Sequence, residues 1–207
     1  MRRIMTGILS AVLLISTCAF AADESAPAQP PAGKSIALVA VGPVDTALVD
    51  RVAAFARENT ALSIRVLPAM EVTGDTLDAI AVEAIKAMES DDAVLVVLAD
   101  PSADIKPHGV SLPDRRVSVV NVKSLKPASG DAEVFARRVE REVMQSIGMQ
   151  LGMPACPNPQ CAMWSYSTDE ELDAKGRNYC PPCLGAMQKG AKEKGIGVDT
   201  NNPLVVQ

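Results

Sequence analysis

The sequence predicts an α/β layered fold that ends in a separate segment built around cysteines. Short apolar runs rich in β-branched residues alternate with amphipathic helical patterns from Ser35 to Leu151, and that alternation is what helices layered on a sheet produce. Beyond Gly152 the hydrophobic periodicity gives way to Cys, Pro and Asn. A stretch so poor in core residues needs a staple to hold one shape.

The elements follow in order. Ile36 to Val41 is an apolar run bounded by Gly42-Pro43 and reads as a buried strand. Asp45 to Asn59 has Leu48, Val52 and Phe55 at helical spacing. Ser63 to Leu67 is a second strand, stopped by Pro68. Thr76 to Met88 is a second helix, capped by Asp75 or Thr76, with Ile80, Ala84 and Met88 on one face. Ala93 to Leu98 is the most apolar strand and belongs at the centre of the sheet. Val117 to Val122 alternates and reads as a strand nearer an edge. The third helix, Asp131 to about Leu151, carries Phe135, Val139, Val143, Ile147 and Leu151 as a stripe facing the sheet, and Gly152 and Pro154 end it.

The first residues specify export. Arg2 and Arg3, the apolar run Ile8 to Ile15 and Ala19-Phe20-Ala21 have the layout of a secretory signal with cleavage after Ala21. Ile15-Ser16-Thr17-Cys18 loosely resembles a lipobox, with Thr17 where a smaller residue is expected, so a lipoprotein anchored through Cys18 is the secondary option. Residues 22–34 read as a Pro/Ala-rich tether, 35–190 as the folded domain and 191–207 as a C-terminal tail. The expected location is periplasmic or extracellular. Loss of residues 1–21 removes two arginines and no acid, taking the net charge from −5 to −7. That balance argues against nucleic acid, whose phosphates need clustered Lys and Arg. No second long apolar run is present to span a membrane.

Four cysteines remain after cleavage: Cys156 and Cys161, then Cys180 and Cys183, in two close pairs. One tetrahedral Zn2+ suits four thiolates on two converging loops. Two disulfides are the competing reading in an oxidising compartment, and a redox dithiol at Cys180-Pro-Pro-Cys183 is the third.

From Gln145 to Cys183 the chain reads QSIGMQLGMPACPNPQCAMWSYSTDEELDAKGRNYCPPC. This resembles the archaemetzincins, metzincin-type zinc peptidases whose signature runs HExxHxxGxxHCx4CxM and then, after a gap, CxxC. Four cysteines, Gly152 and Met163 fall in register, and the order of the preceding elements extends the resemblance from Ser35 to about Lys189. It implies a metzincin-like mixed twisted sheet packed by helices. It also implies one structural Zn2+ on Cys156, Cys161, Cys180 and Cys183. The departures concern the catalytic metal. Gln145 stands where the family has its first zinc-binding His, Ser146 where it has the catalytic Glu, and Met149 and Ala155 where it has the second and third His. A catalytic zinc needs about three protein ligands and an open position, and its water needs a base; all those roles are vacant.

No substitute is visible in the sequence. His108, the only histidine, reads as an exposed loop residue, and Glu142 as a solvated helix residue. Met149 and Met163 read as ordinary core. Trp164 and Tyr166 read as lining the remnant cleft or covering the cysteine loop, the second being preferred, and Asp169, Glu170, Glu171 and Asp173 as a solvated acidic loop, with cation binding the lesser option. Ser165, Ser167 and Thr168 lack a His–Asp setting that would make them nucleophiles. The expectation is a pseudopeptidase with a peptide or protein ligand added beside the edge strand, placed at Val117 to Val122. The alternatives are an active zinc metallopeptidase with unconventional ligands and a thiol–disulfide protein.

Overall fold

A computed structural model describes residues 32–200 and 202–204 of the chain. The expected signal sequence, Cys18 and most of the expected tether lie outside the described residues. Strand β1 (Ser35–Val41) is buried from Ile36 onward, which explains why its run is apolar on both faces. Helix α1 (Thr46–Thr60) starts at Asp45, whose carboxylate accepts the Ala47 amide, and ends at Ala61 with a left-handed φ of 60°. Strand β2 (Ile64–Val66) is short. Helix α2 (Leu77–Ala84) is capped by Thr76 and runs into a 3-10 turn at 85–87. Strand β3 (Asp92–Ala99) is buried along its whole length.

Strand β4 (Gly109–Leu112) follows, then β5 (Val117–Asn121). The sheet order is β2-β1-β3-β5-β4. All neighbours are parallel except β4, which runs antiparallel to β5 and pairs Ser111 with Ser118. Helix α3 (Ala132–Gln150) is capped by Asp131, whose carboxylate accepts the Glu133 and Val134 amides. The sheet separates two cores. Ile36, Leu38, Val96 and Leu98 meet α1 and α3 on one face, where Val139, Val143 and Ile147 are buried. Ala37, Val39, Leu95 and Val97 meet Leu77, Ile80 and Ala81 of α2 on the other.

Three expectations are corrected. Val117 to Val122 is not at an edge: β5 lies inside the sheet, and the edge is β4, whose four residues are only partly buried and carry no strong apolar signal. The cysteine segment is not loop throughout. It contains α4 (Asp169–Ala174), capped by Thr168, and α5 (Pro181–Glu193), which opens on the two prolines after Cys180. Proline at a helix start gives up an amide that lacks a partner there anyway. The domain also runs past residue 190. Ile196 pairs with Lys34 and Val198 with Leu62 as single bridges, so part of the expected tail is docked. Among the described residues, no helix is long and apolar enough to cross a membrane.

Candidate functional site

Two groups of side chains sit on opposite sides of the 156–180 segment, and α3 anchors both. The first is the cysteine cluster. The sulfurs of Cys156, Cys161, Cys180 and Cys183 all lie within 4.8 Å of one another, and none is in a disulfide. Cys156 Sγ and Cys180 Sγ are 3.8 Å apart. A disulfide would bring two sulfurs to about 2.05 Å. Four sulfurs at about 2.3 Å from one tetrahedral ion stand about 3.8 Å from each other, so the donor set fits a thiolate-bound metal.

Local chemistry builds this arrangement. The Cys156 amide donates to the Met163 carbonyl, and the Ala162 amide to that of Asn178, closing the first loop onto the second. Gly176 packs so closely on the Gln160 carbonyl that a Cβ there would overlap it. Tyr179, wholly buried, donates its hydroxyl to the Met144 carbonyl at 2.6 Å and so pins the second pair of cysteines to α3. Cys161 Sγ accepts the amides of Met163 at 3.5 Å and Cys180 at 3.4 Å, contacts that favour a thiolate. Burial pushes the Cys161 thiol up, whereas the Cys180 thiol is drawn down, first by the Cys183 amide. Which charge state prevails therefore depends on what the four sulfurs share.

The second group lines a cleft of about 510 Å³ beneath β4, with His108, Ser111, Glu142, Gln145, Ser146, Met149 and Tyr166 in its wall. Three of the four positions aligned with catalytic residues thus meet in one place. Ala155 does not line it. Met149 is 39% exposed rather than packed as core, whereas Met163 is buried as expected and rests against Gly148 of α3.

His108 is not a free loop residue: its Nδ1 is 2.7 Å from the Tyr166 hydroxyl, and the two rings stack at 5.7 Å. Tyr166 therefore belongs to the cleft, not to the cysteine loop, and Ser165 and Ser167 beside it line the cleft too. Glu142 is not solvated. Burial raises its carboxyl pKa, against an opposing pull from Lys175, and its Oε1 has no hydrogen-bond partner among the described residues. The residue that sequence reasoning missed is Lys175. It is 1% exposed, donates to Gln145 Oε1, lies 3.7 Å from Glu142 Oε1 and sits 5.0 Å from the centre of the Tyr166 ring. Burial lowers its pKa to about 8 even with Glu142 nearby. Nothing in its sequence context, Asp173-Ala174-Lys175-Gly176, marks it, because the partners lie 9 to 33 positions away in the chain.

The acidic run is likewise structural. Arg138 of α3 binds Asp173 and Asp169 of α4, and Arg141 donates to the carbonyls of Lys175 and Asp173. These contacts hold Lys175 behind the cleft wall, against Gln145 and Glu142.

A sheet with one antiparallel edge above a long helix, and a cleft beside a cysteine-held loop, is the architecture of a zinc-peptidase-type fold. Residues 106–189 match the model of peptidase family M54. The chain is 32% identical over 85 residues to the archaemetzincin of Pyrococcus horikoshii, covering 39% of this chain and 45% of that one; the match thus spans under half the length of that curated relative. The fold is shared with the archaemetzincin of Methanopyrus kandleri (TM-score 0.64, 22% identity, 77% of this chain and 96% of that one). It is also shared with a zinc-dependent peptidase from Methanocorpusculum labreanum (TM-score 0.62, 16% identity, 73% and 99%). The chain is archaemetzincin-like in sequence and fold, with a cysteine cluster that can bind a metal.

Proposed function

We propose that this is an exported archaemetzincin-like protein without peptidase activity, which holds one structural zinc on Cys156, Cys161, Cys180 and Cys183. The cleft beneath β4 then receives a peptide or protein ligand. The observation that carries this reading is the chemistry of the four aligned positions, three of which line the cleft. The positions aligned with the catalytic His and Glu residues hold an amide, a hydroxyl, a thioether and a methyl group, and a buried ammonium stands against the first of them. Those four positions offer neither the imidazole or carboxylate ligands of a catalytic zinc nor a base aimed at its water, and the one imidazole and one carboxylate elsewhere in the cleft wall, His108 and Glu142, face Tyr166 and Lys175. When bound, the structural zinc supplies cross-linking, not chemistry. The ligand would lie along the free side of β4, whose unpaired backbone groups offer a ladder for one more strand.

Metal analysis and peptide hydrolysis on the mature protein, purified without added metal or chelator, test the reading. One zinc per chain and no chelator-sensitive cleavage are expected. Two zincs with cleavage would establish an active peptidase instead. The thiol–disulfide reading is favoured by one feature, the free thiols Cys180 and Cys183 placed together at the start of α5. It requires a metal-free protein whose Cys180 and Cys183 titrate reversibly as a redox pair.

A further inference from the structure

A buried ammonium needs a reason. Lys175 is fully enclosed, and its partners are not scattered. Gln145 and Glu142 sit one helical turn apart on α3 with their carbonyl and carboxylate oxygens toward the same point, and the Tyr166 ring covers it. Gln145 is the position aligned with the first metal-binding histidine. An amide oxygen, a carboxylate and an aromatic face converging on one point suit a buried ammonium, and here that ammonium stands at the position aligned with the first metal ligand.

We infer that Lys175 is a tethered cation standing in for the catalytic metal, and that its presence excludes a second metal ion from the cleft. The inference rests on the non-catalytic reading and adds a cause to it. The missing histidines are one obstacle to metal binding, and the lysine is another that acts independently. A divalent ion placed within reach of residue 145 would lie close to a like charge whose own side chain is enclosed by protein, where repulsion is less screened than between two ions in bulk water. The lysine also orients one residue of the cleft wall, Gln145. With Gln145 Oε1 taken by Lys175, the amide NH2 of Gln145 is the end left for a ligand, a donor suited to a peptide carbonyl.

Four proteins test this, read by zinc content after equilibration with Zn2+ and removal of the excess. They are the wild type, the triple variant Gln145→His/Met149→His/Ala155→His, the double variant Lys175→Met/Glu142→Gln, and all five changes combined. Changing Lys175 and Glu142 together strands neither charge, and the zinc retained on the cysteines shows that each variant is folded. One zinc is expected in the first three and two in the combined variant. Two zincs in the triple-histidine variant with Lys175 intact would overturn the inference, since the lysine would then exclude nothing. One zinc in the combined variant would overturn it too, because something other than Lys175 would be keeping the metal out. Two zincs in the wild type would defeat the non-catalytic reading itself.

Discussion

The Arg138 guanidinium grips Asp173 through both carboxylate oxygens, Nε and Nη2 each at 2.7 Å, and uses Nη1 to reach Asp169 at 2.8 Å. The arginine is on α3 and both acids are on α4, so one side chain docks the whole loop that carries Lys175. A planar fork does this in a way a lysine ammonium does not. Arg138→Leu is expected to lower stability by about 1–3 kcal/mol, the range for hydrogen bonds to charged groups. Arg138→Lys should recover less than half of that. Urea denaturation of the three proteins measures it.

The same pair gives a pH dependence. The Asp173 carboxyl is held below its ordinary pKa, first by its hydrogen bond to Arg138. Glu133 is lowered to about 2, first by Arg51. A carboxylate depressed in the folded state stabilises it above the unfolded value, near 3.9–4.3, and that gain is lost as pH falls through the lower folded value. Stability should therefore fall steeply between roughly pH 4 and pH 2. Asp173→Asn should lower stability at pH 7 and flatten the acid slope. An unchanged slope in urea midpoints taken across that range would mean that the pair is not formed.

Removing a cysteine should remove the staple. Cys183→Ala is expected to take zinc from one per chain to none, and to lower the melting temperature by roughly 10 °C if a few kcal/mol are lost in a domain of this size. Chelator added to the wild type should give the same lowered transition, and added zinc should restore it. Calorimetry with matched metal analysis decides the matter.

Two glycines of α5 should respond oppositely to alanine. A Cβ at Gly185 meets nothing within 4 Å, whereas one at Gly190 would overlap the Leu151 carbonyl at the end of α3. Gly185→Ala should stabilise by about 0.5–1 kcal/mol through helix propensity. Gly190→Ala should destabilise by about 1–3 kcal/mol, because backbone must move. The pair, compared by thermal denaturation, tests whether α5 packs against α3 as described.

Much of the scaffold was legible because its elements bury continuous or periodic apolar faces. β1, β3 and α3 were readable from Ile36–Val41, Ala93–Leu98 and the stripe Val139, Val143, Ile147, all of them buried. β4 was not, since Gly109–Leu112 is a short edge with one face half-wet. α4 and α5 were hidden because capping by Thr168, proline at the first turn and the convergence of cysteines hold them more than any long apolar face does. Within the site, the four cysteines announce themselves by spacing. Glu142 and His108 do not: a polar residue on a helix and a histidine in a turn both read as solvated, and local pattern cannot show that Tyr166 and Lys175 return to cover them. Lys175 shows the same limit, because what buries it comes from distant parts of the chain.

The bridge between Lys34 and Ile196 joins the beginning of the first strand to the residues just beyond the last helix. Made from its amino end, the chain cannot close this domain until nearly all of it is available. Until then β1 lacks that last neighbour, and α3 lacks the loop that shields Glu142. A partly emerged chain therefore presents an incomplete core and unassembled cysteines. In the finished domain the Lys34 and Gly197 backbones are clasped across that bridge, so the last part of the chain to be made locks the first strand in place.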